Sequence, residues 1–268
     1  LGYILFHLQG NTSDITHFGR SVVAWMVFRW NDSSISFGSA DYSHGFLIPL
    51  VSLYVLWHQR KELQEVEKKA SWVGLVCIIG ALLLHWVGAK AQHPRLSLFA
   101  IIGLLWSIPY YLYGCQVAKI LLFPCSFLVF CVPLGFLDEL TFPLRMVATT
   151  CATALLNGLG IAAEQSGSAI YSMAGGGFEF DVADPCSGLR SLMAMTALTA
   201  VYAYLTQPTL LKKWILFACS VPLAIVGNIA RITTVGLVAE AFGQKLATGI
   251  YHDYSGYIVF SFAIILMV

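Results

Sequence analysis

The sequence predicts an all-α polytopic membrane protein with about eight transmembrane helices, an interfacial helix and a small extracytoplasmic β-hairpin. Hydrophobic residues make up 58% of the 268 positions and charged residues only 11%. Soluble domains contain about 45–50% apolar and about 25% charged residues, and here the apolar excess lies in long uninterrupted runs. We therefore expect a single integral membrane domain over residues 1–268.

The first half of the chain contains five apolar runs. We assign transmembrane spans to residues 1–9, 42–58, 71–89, 96–113 and 120–137. Between the first two runs, residues 15–30 mix apolar and basic positions, which indicates a helix lying at the membrane surface. Trp25 and Trp30 on this segment are typical of residues at the membrane interface.

The second half contains three further spans and two segments of a different kind. The spans are residues 187–206, 214–235 and about 254–268. Residues 144–163 are long enough to cross a membrane but only moderately apolar. After them, three consecutive glycines precede residues 178–182, which alternate apolar and acidic side chains and predict a surface β-hairpin. Both chain ends lie inside apolar runs, so we expect the first and last spans to be incomplete.

Two short basic loops set the expected orientation. Residues 58–69 and 207–213 are placed in the cytoplasm because short loops rich in lysine and arginine are retained there. The span at 187–206 then begins outside, and the span at 214–235 ends outside. The fifth span also ends outside, so residues 144–163 must leave and return on one face, as an interfacial or re-entrant helix. This parity is the only basis for the expected path of residues 144–183.

Charge and cysteine content exclude several classes of function. A formal net charge of +1 gives no sign of nucleic-acid binding. None of the seven cysteines belongs to a CxxC pair, so we expect no metal site, no disulfide framework and no cofactor. Six of them lie in apolar runs or at their edges: Cys77, Cys115, Cys125, Cys131, Cys151 and Cys219.

The seventh cysteine, Cys186, begins a predicted helix. Asp184 is a good N-cap, and Pro185 suits the first helical position. The positive end of the helix dipole favours a thiolate in the first turn, and Arg190 adds a second positive charge on the same face. These features are typical of a nucleophile. A small packing residue at a helix start is the alternative, and the local sequence leaves both open.

Two further polar residues are expected on the outer face with Cys186. Arg231 ends the apolar span at 214–235, where an ionisable residue is a functional candidate. Asn228 lies three residues earlier and is positioned to hold the guanidinium. His252 follows in the next outer loop. Alternatively, Arg231 reaches to lipid headgroups and His252 is an ordinary loop histidine. Together Cys186, Arg231 and His252 supply a nucleophile, an oxyanion donor and a proton carrier for acyl transfer.

These motifs resemble those of the exosortase/archaeosortase family. The chain contains Tyr42-Ser43-His44-Gly45, then Cys186-Ser187-Gly188-Leu189-Arg190-Ser191, then Asn228-Ile229-Ala230-Arg231, and then His252. The resemblance extends from about residue 25 to the end and is greatest to the bacterial exosortase branch. It implies a membrane cysteine transpeptidase or peptidase with Cys186, Arg231 and His252 at the catalytic positions.

The resemblance also implies a substrate. Exosortases act on exported proteins with a PEP-CTERM-like sorting tail, made of a short motif such as Pro-Glu-Pro, a transmembrane helix and a basic cluster. They are associated with exopolysaccharide and biofilm systems, and this implies the bacterial inner membrane with a periplasmic active site. If the motif carries a glutamate, Arg190 or Arg145 is a candidate partner. His44 is either a second proton carrier or a structural histidine, and we favour the structural role.

Other functions are less consistent with the sequence. A non-catalytic membrane component or transporter of polysaccharide export is the main alternative, but no inverted repeat with paired broken spans occurs. An intramembrane serine or aspartyl protease is disfavoured because the chain has no GxSG motif and no paired intramembrane aspartates. Hydrolysis and transfer to another acceptor remain equally consistent with the motifs.

Overall fold

A computed structural model describes most of the chain. It covers residues 2–10, 19–31, 42–134, 137–172, 178–181 and 189–247, and the single positions 251, 254, 258, 261 and 265. The chain divides into two compact units. The first unit comprises Leu1–Ser34 and Asp41–Leu134, and the second comprises Ile35–Ala40 and Gly135–Val268. The prediction of one integral membrane domain stays a prediction.

All the regular elements described in the first unit are helical. A π-helical turn, Ile4–Leu8, precedes the first α-helix, and 3₁₀ turns at Ser43–Phe46 and Leu128–Cys131 flank the later helices. The six α-helices described in this unit are α1 (Val22–Asn31), α2 (Leu47–His58), α3 (Arg60–Glu65), α4 (Trp72–Lys90), α5 (Pro94–Tyr113) and α6 (Cys115–Phe127).

Helices α4 and α5 pack closely because small residues lie between them. A side chain on Gly74 would overlap the backbone of Tyr111, and a Cβ on Gly88 would lie 2.9 Å from Leu96 Cβ. Small residues allow helix backbones to approach where lipid supplies no hydrophobic driving force. The hydrogen bond between His85 Nδ1 and Ser97 Oγ, 3.0 Å, further joins the two helices.

The two tryptophans expected at the membrane interface are buried inside the first unit, so that expectation is wrong. Trp25 is 8% exposed and packs with Leu98 and Val132. Trp30 is 7% exposed, and its Nε1 donates to the backbone oxygen of Cys131 over 2.8 Å. A buried indole requires an acceptor for its N–H, and the chain provides one.

The second unit combines four described helices with a small sheet. Its elements are α7 (Leu137–Gly158), β1 (Ala163–Ser166), β2 (Ala169–Ser172), β3 (Glu179–Asp181), α8 (Leu189–Thr206), α9 (Leu210–Phe242) and α10 (Gln244–Leu246).

The predicted hairpin is part of a three-stranded antiparallel sheet of order β1-β2-β3. Ala163 pairs with Ser172, and Ala169 pairs with Asp181. The triple-glycine segment at 173–177 lies outside the described residues. Only Ala163, the first residue of β1, belongs to the segment predicted as a helix, and residues 164–166 follow that segment.

Helix α7 is displaced along the sequence relative to its prediction. It begins at Leu137 rather than at residue 144, and it ends at Gly158 rather than at residue 163. Two observations account for the end. Gly160 adopts a φ of +87°, which breaks the helix. The Asn157 side chain pairs with the backbone of Ala163, accepting from its N–H over 2.9 Å and donating to its oxygen over 3.0 Å.

Three helices in the described part are long and apolar enough to cross a membrane: Trp72–Lys90, Pro94–Tyr113 and Leu210–Phe242. The segments His44–His58, Cys115–Cys131 and Leu192–Thr206 are apolar but shorter. Most of the last predicted span lies outside the described residues. The total of about eight spans and the interfacial path of α7 therefore stay predictions.

Helix α9 extends well past its predicted end at residue 235. Its 33 residues correspond to about 50 Å at about 1.5 Å per residue, whereas a hydrocarbon core is about 30 Å thick. The extension is stabilised by packing, because Val235 and Ala239 are buried in the same cluster as residues of α7 and the sheet. Gly243, with a φ of +90°, ends the helix.

Candidate functional site

The structure describes only part of the predicted site. Cys186 and His252 lie outside the described residues. Arg190 belongs to the first turn of α8, but its side chain is outside the described part. The side chains that are described are those of His44 in the first unit and of Arg145, Asn228 and Arg231 in the second.

The second unit is built around a cluster in which α9 meets α7 and the sheet. Gly236 permits close contact, since a Cβ at this position would lie 2.8 Å from Leu156 Cδ1 of α7. The buried members of this α7–α9 cluster are Ala148, Ala152, Leu156, Ala163, Ile170, Phe178, Ile232, Val235, Ala239 and Ala247. This cluster holds the part of α9 that directly follows Arg231.

Helices α8 and α9 form an antiparallel pair. They pack against each other and are joined by only three residues, 207–209. Met195 and Ala224 are buried together, with Leu192 and Leu223 packed beside them. Leu189, the first residue of α8, lies six residues before Met195, so at about 1.5 Å per residue it is level with Ala230, six residues after Ala224. Arg231 lies one residue beyond that level, just past the start of α8.

Asn228 occupies the middle of the buried face of α9. It is 6% exposed, in line with Ala224 and Ile232, which lie four residues on either side. Its Oδ1 atom is buried and has no hydrogen-bond partner within the described ranges. The expected hydrogen bond from the Arg231 guanidinium to this oxygen is therefore not formed. Residues three apart are separated by about 60° around a helix, which places Arg231 at the half-buried edge of the face.

Arg145 lies in α7 with its side chain partly buried. Its Nε atom is buried, and the N–H donates no hydrogen bond to any side chain or backbone that the structure describes. The hydroxyl of Thr149 donates to the Arg145 backbone oxygen over 3.0 Å. A guanidinium with a buried and unused donor is suited to a carboxylate that is absent from the free protein.

His44 belongs to the 3₁₀ turn that precedes α2, and its ring lies 5.8 Å from the ring of Tyr42. Tyr42 is itself held on both sides of its hydroxyl, which donates to Leu134 O and accepts from Leu134 N, each over 3.0 Å. These contacts lie within the first unit. The structural role favoured for His44 stays a prediction.

Sequence reasoning missed the residues that attach the sheet to the end of α9. The hydroxyl of Ser172 donates to Glu240 Oε2 over 3.3 Å. Gln244 donates from its side chain to the backbone oxygen of Glu179, and its Oε1 accepts from the Glu179 N–H over 3.5 Å. No periodic pattern signals such contacts, since the partners are more than sixty positions apart.

Metal chemistry gains no support from the described part of the chain. Within the described ranges, no three His, Cys, Asp or Glu side chains are grouped closely enough to hold an ion. The expectation that the protein needs no metal or cofactor stays a prediction.

Comparison with protein families identifies the chain. A family model described as transmembrane exosortase (Exosortase_EpsH) matches residues 30–268. The chain belongs to the transmembrane exosortase family. Comparison with curated proteins gave no match, and comparison with solved structures gave none either. The resemblance based on the motifs is thus confirmed, and the exosortase is a multi-pass membrane protein, as its three long apolar helices also indicate.

Proposed function

We propose that this exosortase is a membrane-embedded cysteine transpeptidase or peptidase. It cleaves the C-terminal sorting tails of exported proteins at the outer, periplasmic face of the bacterial inner membrane. Membership of the family supports the class of enzyme. The observation that carries the proposal is the position of Arg231, which lies on α9 just past the start of α8, the helix that follows Cys186 in the sequence.

Chain continuity supports the pairing of Cys186 with Arg231. Cys186 precedes Leu189, the first residue of α8, by three positions. Successive Cα atoms are about 3.8 Å apart, so the chain holds the cysteine within about 11 Å of that helix start. The other end of the same segment is β3, which Gln244 holds to the start of α10, directly after α9. Both ends of the cysteine segment are thus attached to the second unit.

The same reasoning supports His252 as the proton carrier. It directly follows Tyr251, whose ring packs against the α7–α9 cluster. Ile229 and Ile232, which flank Arg231 on α9, belong to or pack against that cluster. The backbone that carries His252 is therefore linked to the part of α9 that carries Arg231.

The proposed reaction has two acyl-transfer steps. The Cys186 thiolate attacks the scissile carbonyl carbon, and Arg231 donates hydrogen bonds to the resulting oxyanion. The C–N bond breaks as His252 gives a proton to the leaving amine, which leaves a thioester on Cys186. The acceptor nucleophile then gives a proton to His252 as it attacks the thioester, and the thiolate departs. Water as the acceptor gives hydrolysis, and an amine or hydroxyl of another molecule gives transfer.

The buried and unused Nε of Arg145 supports recognition of an acidic residue in the tail. A guanidinium pairs with a carboxylate through short charge-assisted hydrogen bonds. We propose Arg145 as this partner and keep Arg190, in the first turn of α8, as the alternative.

The decisive experiment is co-expression of the exosortase with a tailed substrate, followed by mass spectrometry of the new C terminus. Cys186→Ala should abolish processing while the protein still inserts into the membrane. Cys219→Ala is the matched control, because this cysteine is exposed on α9 and has no proposed role. Normal processing by Cys186→Ala would overturn the cysteine mechanism, and absence of processing by the wild-type protein would favour a non-catalytic role in polysaccharide export.

A second measurement separates the two possible outcomes of the thioester. Hydroxylamine should trap the acyl-enzyme of the wild-type protein as a hydroxamate of the substrate. Without hydroxylamine, a substrate released with a free carboxylate indicates hydrolysis. A mass increase at the new C terminus instead identifies an acceptor.

A further inference from the structure

We infer that Asn228 binds the substrate directly, through a hydrogen bond from a backbone N–H in the first turn of the tail's transmembrane helix to Asn228 Oδ1. This inference rests on the proposed function, since it requires a tail that lies in the membrane beside α8 and α9. It assigns Asn228 to the substrate backbone rather than to Arg231.

The inference starts from an unpaired acceptor. Asn228 is 6% exposed, and its Oδ1 has no hydrogen-bond partner in the part of the chain that the structure describes. Buried polar groups in folded proteins are almost always hydrogen-bonded. Other buried polar side chains of this helix follow that rule, since the hydroxyls of Ser220 and Thr233 donate to Phe217 O and Ile229 O. The exception at Asn228 points to a donor that arrives from outside.

The position of Asn228 along α9 corresponds to a depth inside the apolar layer. Lys212, Lys213 and Trp214 are the polar and interfacial residues at the start of α9. Asn228 follows Trp214 by fourteen residues, about 21 Å along the helix, within a hydrocarbon core of about 30 Å. Arg231 lies about 4.5 Å nearer the outer surface. The unpaired oxygen is thus below the outer edge of the apolar layer.

The first turn of a transmembrane helix carries the complementary groups. Its first four N–H groups have no acceptor inside the helix, and lipid supplies none. Asparagine is among the best residues for accepting such a hydrogen bond at a helix N-terminus. When the scissile carbonyl is at Arg231, the tail helix that follows it begins about one turn deeper, which is the level of Asn228. An ionised carboxylate cannot pair with Oδ1, because both groups are acceptors.

Proline substitutions in the substrate test the inference. Each proline removes one N–H, and its fixed φ is compatible with the first turn of a helix. With the wild-type exosortase, one position in that turn should lower the processing rate on the order of tenfold. Asn228→Leu should process the unsubstituted substrate at a similarly reduced rate. Proline at the sensitive position of the substrate should then lower this rate no further. Asn228→Asp, which keeps acceptor oxygens, should retain the position-specific sensitivity.

Thr233→Val is the matched control. Thr233 is 7% exposed on the same helix, and its hydroxyl donates to Ile229 O over 2.8 Å. It should keep the wild-type proline profile. Two results would overturn the inference while Cys186-dependent cleavage stands. The losses from Asn228→Leu and from proline could be additive, or the wild-type enzyme could show no proline-sensitive position in the substrate. Absence of cleavage by the wild-type enzyme itself would instead overturn the proposed function, and this inference with it.

Discussion

Gly236 of α9 lies directly against Leu156 of α7, so that a Cβ on the glycine would lie 2.8 Å from Leu156 Cδ1 and 3.0 Å from Cδ2. Leu156 is fully buried. The contact joins α9 to α7 five residues beyond Arg231. Any side chain at position 236 would force its neighbours to move, so α9 packs tightly against α7 at this point. This packing holds the part of α9 that lies next to the candidate site.

Enlarging Gly236 should therefore destabilise the second unit. We expect Gly236→Val to lower the free energy of unfolding by about 1–3 kcal/mol, because overpacking forces neighbouring side chains from their rotamers. Thermal unfolding in detergent measures the change. Gly80→Ala is the control, since a Cβ there meets nothing within 4 Å. Rescue of Gly236→Val by Leu156→Ala would establish the contact as the cause, and an unchanged melting temperature of Gly236→Val would contradict it.

The sheet should depend on Asn157. Its side chain makes two hydrogen bonds with the Ala163 backbone, where β1 begins. Asn157→Ala leaves the N–H and oxygen of a buried residue unpaired, and we expect a loss of about 1 kcal/mol. Hydrogen exchange should become faster at β1 and β2. Thr150→Val removes an exposed hydrogen bond to Gln165 and should have no comparable effect on exchange.

Trp30 should behave as a core residue and not as a membrane anchor. Trp30→Phe removes the hydrogen bond from Nε1 to Cys131 O and leaves that carbonyl buried without its donor. A loss of about 1–3 kcal/mol in unfolding free energy follows. Trp57, which is 58% exposed, is the comparison residue, and Trp57→Phe should change stability by less than about 0.5 kcal/mol. Equal effects at the two positions would refute the assignment.

Arg231 should be required for the reaction rather than for the fold. Arg231→Lys keeps the charge but loses the planar set of donors. We expect processing to fall on the order of 10² to 10³-fold, the effect of removing an oxyanion donor, with insertion and melting temperature unchanged. Initial rates of substrate cleavage measure this effect. Arg60→Lys provides the control, because Arg60 contacts only the exposed Trp57 among the interactions described for it.

Arg145 should be coupled to an acidic residue of the tail. Replacing the glutamate of the substrate motif with glutamine should slow cleavage by the wild-type enzyme, and Arg145→Gln should slow it to a similar extent. If the two groups pair, the combined change should cost little more than either one, and the double-mutant cycle measures their coupling. Independent effects would direct attention to Arg190 instead.

Much of the architecture was accessible from the sequence because hydrophobicity and basic loops are local signals. The apolar runs predicted α4 and α5 within a few residues of their observed bounds. The alternation that follows the glycines predicted strand structure near residue 180. Strand β1 was missed because it pairs with β2 across a turn, and no periodic pattern in the sequence signals that pairing. The prediction that Trp25 lies at the membrane interface was wrong, because an aromatic residue among apolar neighbours gives the same sequence pattern in a protein core and at a membrane surface.

By itself, the sequence determined the class of protein and the family, and it predicted the three residues proposed for acyl transfer, since composition and motif spacing are properties of the chain alone. Only the tertiary structure decided that α9 continues to Phe242 and that Asn228 keeps an unpaired oxygen instead of holding Arg231. Helix length depends on which segments bury the last turns, and a hydrogen bond between two neighbouring side chains depends on the rotamers that their surroundings impose. Both are set by packing between distant segments, which no local pattern records.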